Sequence, residues 1–368
     1  MHSLAVLLPL ISLTIPLVKA QGATCNVTTK CPETAPCCSE FGFCGTTEAF
    51  CLGGCNPLYS SKLDSCLPNP ICKSSFHSFA NNDRVQSNSS HWDGNATLYD
   101  FVVNNGNIMN TGANGGELAM LLTKENGGTR LSTTRYLHYG IVTARMKTGR
   151  WGGVVTAFIT MSDVKDEIDW EFPGNSTTEG QSNYFWQGVV TQPNHGAVSQ
   201  VNGDTFGDYH DYTIDWQPEQ LRWLIDGKVV RTLKKSDVLT DGVSQYPTTP
   251  SRIQFSLWPA GVASSAAGTV QWAGGLINYD DPDYRSAGHF YALLKSVNIT
   301  CADPVKPSAD ITGYKYGANS STNTPSVALT NLTTNINAAA PGVVGRSVEG
   351  IRTMLAVLIV AGVFGQLI

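Results

Sequence analysis

The 368-residue chain has few charged side chains and no excess of positive charge. Charged residues make up 14% of the sequence, and 24 lysines and arginines stand against 29 aspartates and glutamates, for a formal charge of −5. No basic field is therefore available to hold a phosphate backbone, which argues against nucleic acid as a partner. Long helical periodicity is also missing from residues 70–305, and this argues against a helical bundle there.

No apolar run reaches the roughly 20 residues that a membrane-spanning helix needs. The N-terminal run, residues 4–18, precedes the small-residue site Val18-Lys19-Ala20. We interpret residues 1–20 as a secretory signal peptide. A core helix or an anchor is the alternative, which Pro9 and Pro16 disfavour.

The C-terminal apolar run, residues 353–368, follows a polar spacer and the small residues around Asn337. A small attachment site, a polar spacer and an apolar tail form the signal for a GPI anchor. We predict an anchor to the membrane at Asn337 and removal of residues 341–368, with an ordinary transmembrane helix as the alternative. Residues 307–340 are rich in Ser, Thr, Asn and Ala, and we predict an unpacked stalk because their apolar content is too low.

Ten cysteines and seven Asn-x-Ser/Thr sequons indicate a secreted, disulfide-bonded glycoprotein. Seven of the cysteines lie within residues 25–55, a stretch too short to bury a core of its own. Residues 24–55 are therefore predicted to be a small separate module held by disulfides. The module has neither a Cys-x-x-Cys pair nor a histidine, so no metal site is predicted. Spacing alone leaves the cysteine pairing open.

Residues 70–305 carry the pattern of a single β-sandwich, and their number fits that fold. Two apolar runs, residues 222–225 and 228–231, flank Asp226-Gly227, which is a strong signal for a type I′ hairpin. Alternation typical of strands occurs at Tyr212, Ile214 and Trp216 and again at Tyr139, Ile141 and Thr143.

The run Asp166-Glu167-Ile168-Asp169-Trp170-Glu171 concentrates carboxylates. If it is a strand, Glu167, Asp169 and Glu171 share one face. Two carboxylates that flank a sugar bond are the machinery of glycoside cleavage. On a flat strand the Cα atoms of Glu167 and Glu171 would be about 13 Å apart, so the strand must twist or curve for both to reach one bond. A solvated strand face or a calcium site is the alternative.

Residues 167–171 resemble the Glu-x-Asp-x-Glu signature of glycoside hydrolase family 16. The longer run 166–174 and residues 256–261 resemble the fungal cell-wall chitin transglycosylases, the Crh group, and residues 139–145 resemble the strand that precedes the cleft. The resemblance implies an all-β fold, a β-jelly-roll sandwich with a concave cleft, over residues 70–305. It implies that Glu167 is the nucleophile, Glu171 the acid/base and Asp169 an assisting carboxylate. We expect a monomer that needs no cofactor and no metal ion.

An open cleft also needs aromatic platforms for the faces of sugars. The candidates for this role are Tyr184, Phe185, Trp186, Trp258 and Trp272. The resemblance to the Crh group further implies that Arg252, Trp258 and Thr269 contact the chitin chain. Core packing is the alternative for each ring.

Residues 37–51 resemble the hevein-type chitin-binding module. The resemblance implies that Ser39, Phe41, Phe43 and Phe50 bind N-acetylglucosamine, the rings by stacking on sugar faces; packing of the rings within the knot is the alternative. It also implies a pairing of the cysteines within the module, to which we add two further pairs. The expected pairs are Cys25–Cys38, Cys31–Cys44, Cys37–Cys51, Cys55–Cys66 and Cys72–Cys301.

These observations predict a secreted, retaining enzyme of the cell wall and the outer face of the plasma membrane. We expect it to cleave chitin and to transfer the chain to β-glucan or chitin, which cross-links the wall. Two alternatives stay open. One is a hydrolytic endo-β-glucanase or chitinase with the same carboxylates, and the other is a wall-binding lectin without activity.

Overall fold

The computed structural model describes residues 22–319 and 324–335. The predicted signal peptide (residues 1–20), the predicted attachment site Asn337 and the predicted anchor signal (residues 341–368) lie outside the described residues. Within the described ranges, no helix has the length and apolar content that crossing a membrane requires.

Nearly all regular structure is β, and the helices are short. The N-terminal module holds β1 (Cys37–Cys38), β2 (Cys44–Gly45) and α1 (Glu48–Cys51). The following elements are, in chain order, β3 (Asn69–Pro70), β4 (Ser75–Ser78), β5 (Val85–Gln86), β6 (Phe101–Asn105), β7 (Asn107–Asn110), β8 (Leu118–Leu122), β9 (Thr129–Leu137), β10 (Gly140–Lys147), β11 (Val154–Ser162), β12 (Glu167–Pro173), β13 (Glu179–Phe185), β14 (Ala197–Gln200), β15 (His210–Trp216), β16 (Gln220–Ile225), β17 (Lys228–Lys234), β18 (Leu239–Thr240), β19 (Val243–Ser244), β20 (Ser251–Pro259), α2 (Ala267–Trp272), α3 (Pro282–Ala287), β21 (Phe290–Cys301), β22 (Gly313–Asn319) and β23 (Pro325–Thr330). Short 3-10 turns occupy Ser89–His91, Ala113–Gly115 and Lys235–Asp237.

Two eight-stranded sheets enclose the main core, and this confirms the predicted β-sandwich. The first, which we call the cleft sheet, has the order β14-β13-β12-β11-β20-β9-β6-β5. The second, the outer sheet, has the order β17-β16-β15-β10-β21-β8-β7, and β4 also pairs with β21. Large apolar side chains fill the space between them, including the fully buried Trp170, Trp216 and Trp223. Burial of this apolar area is the main force that holds the two sheets together.

The predicted hairpin at Asp226-Gly227 is confirmed. β16 and β17 pair antiparallel, and Asp226 and Gly227 have φ angles of 49° and 76°. A type I′ turn requires positive φ at both central residues, and glycine tolerates it without strain.

Side chains of β10 alternate between the two faces of the sheet, but the residues that face the core are not the ones that the sequence pattern indicated. Val142, Ala144 and Met146 face the core, whereas Ile141 is 38% exposed. The reason is that Tyr139 adopts a left-handed conformation, with φ of 66°, so it does not continue the alternation of the strand. β10 also pairs with β15 and β21 in the outer sheet, away from the carboxylate strand.

All ten cysteines form disulfides, in the five pairs expected. Four of the bonds lie within residues 25–66 and hold the module, whose own apolar content is small. The fifth, Cys72–Cys301, joins the segment before β4 to the end of β21.

The prediction of an unpacked stalk from residue 307 is wrong for the described residues. β22 and β23 form an antiparallel hairpin that also pairs with β3. Tyr314 and Tyr316 are only 1% and 6% exposed, and they pack beside Ile71 and Leu58, respectively. The average apolar content of the segment is low, but the period of a strand places these two rings on one buried face.

The N-terminal module is folded by its own disulfides but is not separate from the sandwich. Leu52 packs with Trp92 and Val102 of the larger domain. The backbone N–H of Gly54 donates to Asp163 Oδ1 at 3.1 Å. The module thus lies against the cleft sheet.

Candidate active site

The three clustered carboxylates lie on β12, near the middle of the cleft sheet, between β11 and β13. Glu167, Asp169 and Glu171 share one face, which we call the cleft face, while Ile168 and Trp170 are fully buried against the outer sheet. The strand and the shared face are therefore as predicted. Asp169 is buried, whereas the two glutamates keep partial contact with solvent.

The neighbours of the glutamates on the cleft face are uncharged. Glu167 faces Met161 across one strand and Phe185 across the other. Glu171 faces Ala157 and Gln181 in the same way. These cross-strand neighbours carry no positive charge, so they do not offset the rise in pKa that burial of the two carboxyl groups causes.

Burial raises the pKa of all three carboxyl groups, but to different degrees. The pKa of Glu167 is raised by burial, against the charge of Lys165 and a hydrogen bond with Asp169, which both lower it. Burial and the nearby charge of Glu167 raise the pKa of Glu171 to about 8. Burial and both glutamates raise the pKa of Asp169 well above its usual range. A protonated Asp169 donates a hydrogen bond to the carboxylate of Glu167, and this bond lowers the pKa of Glu167.

Indole hydrogen bonds fix the backbone of β12 to the outer sheet. Trp223 Nε1 donates to the carbonyl oxygen of Asp169 at 2.9 Å, and Trp170 Nε1 donates to the carbonyl oxygen of Thr213 at 3.1 Å. Buried hydrogen bonds of this kind restrict the strand in one position. They give the three carboxyl groups a rigid base.

Asp166 starts the carboxylate run but has a structural role. Its side chain is fully buried and accepts hydrogen bonds from the backbone N–H groups of Thr248 and Thr249 at 2.9 and 3.1 Å. It also accepts from the backbone N–H of Gln187. Asp166 therefore joins the turn before β12 to two neighbouring loops and takes no part in the cleft.

Two of the predicted aromatic platforms meet beside Glu171. The rings of Trp258 and Trp272 have centroids 6.0 Å apart and an interplanar angle of 29°. Trp272 Nε1 donates to Oε1 of Gln181 at 2.8 Å, and Gln181 is directly opposite Glu171. Thr269 lies on α2 with Trp272 and is half-buried. These residues flank the cleft at its Glu171 end.

Two other predicted platforms are elsewhere. Tyr184 is buried in the core, opposite Ile168, and stacks on His195 with centroids 4.3 Å apart, so its prediction as a platform is wrong. The strand period explains the error, because Tyr184 points away from the face that Phe185 shares with Glu167. Trp186 lies beyond β13 and lines a pocket with His138 on another side of the molecule.

Arg252 lies on the cleft face, in register with Glu167 through β11, but it is not open to a sugar. Its guanidinium is buried beneath the N-terminal module, where it pairs with Glu40. The prediction that Arg252 donates to sugar hydroxyls is therefore not supported by its position.

The predicted sugar-binding residues of the module differ in exposure. Phe41 and Phe43 are 55% and 49% exposed. Ser39 is buried, and its hydroxyl accepts a hydrogen bond from the backbone N–H of Phe43 at 3.2 Å. Phe50 is packed among the disulfides near Cys51. The module thus presents two rings for stacking, and the third supports the fold.

Lys165 and Glu40 also surround the site, and neither was predicted from the sequence. Lys165 is two residues before Glu167, a spacing that would put both on one strand face, but it lies in a turn, with φ of 70°. Its charge lowers the pKa of Glu167. Glu40 comes from the module, more than 100 residues earlier in the chain, and no local pattern signals its place beside the cleft.

Comparison with known proteins agrees with this geometry. Residues 95–274 match the model of glycosyl hydrolases family 16, and residues 21–60 match that of the chitin recognition protein. Among solved structures, the Crh5 transglycosylase in complex with NAG is 31% identical, with a TM-score of 0.57, and the match covers 71% of this chain and 94% of that one.

Curated relatives match over most of the chain. Crh-like protein 2 of Aspergillus fumigatus is 45% identical over 295 residues, which are 79% of this chain and 65% of the relative. Congo red hypersensitive protein 2 of Saccharomyces cerevisiae is 41% identical over 301 residues, or 81% and 63% of the two chains. The probable glycosidase CRR1 of the same yeast is 31% identical over 326 residues, or 75% and 76%. The chain spans just under two thirds of the length of the two relatives named first.

Proposed function

Since the chain belongs to glycosyl hydrolase family 16 and, within it, to the Crh-like proteins, we propose that it is a retaining chitin transglycosylase. The observation that carries the proposal is the arrangement on β12. Three carboxyl groups share one cleft face, and Asp169 lies between the two glutamates and hydrogen-bonds to Glu167.

In the first step, the carboxylate of Glu167 attacks the anomeric carbon of a chitin chain, and Glu171 gives its proton to the leaving oxygen. The glycosidic C–O bond breaks, a covalent glycosyl–enzyme bond forms, and the leaving chain departs with a new hydroxyl. Asp169 donates a hydrogen bond to Glu167, which lowers the pKa of the attacking group and so favours its ionised form.

In the second step, Glu171 is a carboxylate and takes the proton of an acceptor hydroxyl. The acceptor oxygen attacks the anomeric carbon and releases Glu167, so configuration is retained. A β-glucan or chitin acceptor gives a cross-link, and water gives hydrolysis. The paired rings of Trp258 and Trp272 beside Glu171 support a platform for an acceptor sugar.

The test is to incubate the protein with chitin oligomers and a labelled β-glucan oligomer. We expect a labelled hybrid from the wild type and none from Glu167→Gln, with chitin binding retained in the variant. Shortened oligomers without a hybrid would indicate a hydrolase, and chitin binding without any turnover would indicate a lectin. Unchanged turnover in Glu167→Gln would refute the nucleophile assignment. Glu219→Gln is the matched control, because Glu219 is an exposed residue paired with Lys235.

We further infer that the protein works as a monomer outside the cell, at the wall and at the outer face of the plasma membrane, held by a GPI anchor at Asn337. The ten paired cysteines and the composition of the last 32 residues support this inference. Phosphatidylinositol-specific phospholipase C is expected to release the protein from membranes. Retention after that treatment would contradict the anchor.

A further inference from the structure

One carboxylate of the N-terminal module is held between two arginines of the cleft sheet. Arg130 Nη2 donates to Glu40 Oε1 at 2.7 Å, and Arg252 Nη2 lies 3.5 Å from Glu40 Oε2. The side chains of Glu40, Arg130 and Arg252 are 13%, 19% and 4% exposed. Exposed ion pairs contribute little to stability, but a buried charge that loses its partner is strongly destabilising. This contact therefore fixes the module in one place.

The two arginines belong to the same cross-strand rows as the catalytic carboxylates. Through β11, Glu167 is in register with Arg252 on β20. Glu171 is likewise in register with Ser256 on β20, whose neighbour on β9 is Arg130. Adjacent strands are about 4.8 Å apart, so β20 and β9 are about 10 and 14 Å from β12. The module thus covers the cleft face a short oligosaccharide's length from the reacting carboxyl groups.

The close approach depends on two glycines of the module. Gly53 and Gly54 lie directly over the guanidinium of Arg252, and a Cβ at either position would come within 2.9 Å of one of its nitrogen atoms. Gly54 also donates its N–H to Asp163 and to the hydroxyl of Tyr136, at 3.1 and 3.2 Å. The contacts at Gly54 and at Glu40, which meet at Arg252, and the apolar contact of Leu52 together dock the module.

One cation, Lys165, interacts electrostatically with both the module and the catalytic strand. Lys165 lowers the pKa of both Glu40 and Glu167, and both carboxylates raise the pKa of Lys165 against the effect of its burial. Lys165 thus interacts with one carboxylate of the module and with the nucleophile.

An exposed aromatic ring, that of Phe41, lies where the module meets the cleft sheet. Phe41 follows Glu40 in the chain, is half-exposed, and has the guanidinium carbon of Arg130 5.9 Å from its ring centre. Because Arg130 lies on the cleft sheet, the Phe41 ring borders the cleft. Fixing Glu40 between the two arginines also fixes the position of this ring.

We propose that the module forms one end of the catalytic cleft, and that Glu40 is the positioning residue that aligns Phe41 with Glu167 and Glu171. One N-acetylglucosamine chain then occupies the carboxylate strand and the module at once. The inference rests on the proposed function of that site. A chain that reaches both surfaces binds more tightly than one that reaches either, because the second contact is intramolecular. The module therefore selects long donor chains over short ones.

The test compares Glu40→Gln with Glu33→Gln in the full chain. Glu33 is a matched control, since it belongs to the same module but forms an exposed ion pair with Lys62. We measure kcat/KM for transfer from short and long chitin oligomers. For Glu40→Gln we expect a loss of about tenfold with long donors, equivalent to about 1.4 kcal/mol, and little change with short donors. Glu33→Gln should match the wild type with both.

Phe41→Ala is the second variant, because an exposed ring is removed without loss of a buried contact. It should show the same loss confined to long donors, whether or not Glu40→Gln folds. Equal values for Glu40→Gln and Glu33→Gln would mean that the module is an independent anchor and would overturn the proposal. Faster transfer by Glu40→Gln or Phe41→Ala would identify the module as a shield, which also overturns it.

Binding keeps this test separate from the proposed function. In a Glu167→Gln background, Glu40→Gln should weaken binding of long oligomers by about the same factor and leave short ones unaffected. If the wild type transfers no sugar but this length dependence appears, the transglycosylase proposal fails and the composite cleft stands.

Discussion

Two groups of buried carboxylates in this molecule, the one on β12 and Glu40 of the module, have their pKa values shifted in opposite directions. On β12, burial raises the pKa values of Glu167, Asp169 and Glu171. At the junction with the module, Arg130, Arg252 and Lys165 outweigh burial and hold the pKa of Glu40 below its usual value. The two glutamates on β12 can therefore exchange protons near neutral pH, and Glu40 stays charged.

The difference lies in the number of cations each region supplies. Glu40 has two guanidinium groups in contact and an ammonium group nearby, whereas on β12 the charges of Lys165 at Glu167 and of Arg231 at Asp169 do not outweigh burial. Proton transfer requires a group whose charge can change, and docking requires one whose charge does not. The neighbouring charges thus determine whether a buried carboxylate can transfer a proton or forms a fixed ionic contact between the module and the sheet.

The largest expected effect is the loss of Glu171 as acid and base. We expect Glu171→Gln to lower the transfer rate by roughly 10²–10⁴-fold, the usual contribution of general acid–base catalysis. The fall in the rate at high pH should also disappear, because in the wild type it reports loss of the Glu171 proton. The measurement is kcat/KM against pH, with Glu219→Gln as control. A Glu171→Gln profile that keeps its high-pH fall would assign that limb to another group.

Removal of the fixed charge should act on stability. Glu40→Gln leaves two buried guanidinium groups without their anion, and we expect a loss of about 3–5 kcal/mol in the free energy of unfolding. Denaturant unfolding measures it, with Glu33→Gln expected within about 0.5 kcal/mol of the wild type. In a double-mutant cycle, Glu40→Gln should cost less in an Arg130→Gln background. Strict additivity would show that the two side chains do not interact.

The smallest expected effect is the pH dependence of stability, which should have opposite signs for Glu171 and Glu40. Glu171 has a raised pKa in the folded state, so its stabilisation is present at low pH and is lost as the pH rises from 4.5 through the raised value. Glu171→Gln should therefore become more stable than the wild type as the pH rises, by a Tm difference of about 2–4 °C for each kcal/mol.

Glu40 should show the opposite trend. Its lowered pKa gives stability that is present above pH 4.5 and lost as the pH falls through the lowered value. The deficit of Glu40→Gln should therefore shrink on acidification. If the Tm difference from the wild type changes with pH in the same direction for both variants, the pKa values of Glu171 and Glu40 are not shifted in opposite directions.

Local pattern was enough to predict part of this structure. The strand period placed Glu167, Asp169 and Glu171 on one face, and Asp226-Gly227 marked its hairpin because each depends on a few adjacent residues. The strand pattern and the length of residues 70–305 predicted the sandwich, and the resemblance supplied three disulfides of the module, to which we added Cys55–Cys66 and Cys72–Cys301.

Contacts between distant segments were beyond that reach. Arg252 was expected in an open cleft, and only the position of the module shows that Glu40 covers it. The packed hairpin at Tyr314 and Tyr316 was hidden by the low average apolar content of its segment. In each case the missing information was which surface a segment meets, and a single sequence does not contain that in local form.

The disulfide between Cys72 and Cys301 also has a mechanical consequence. The N-terminal module precedes Cys72, the β22–β23 hairpin follows Cys301, and the bond bridges a sequence separation of 229. Along the covalent chain, tension applied between the module and the end of the hairpin therefore runs through the sulfur bridge, and residues 73–300 form a loop outside that covalent path. Under the proposed wall binding and anchor, the backbone of the catalytic strand is not part of the covalent link between the polymer and the membrane.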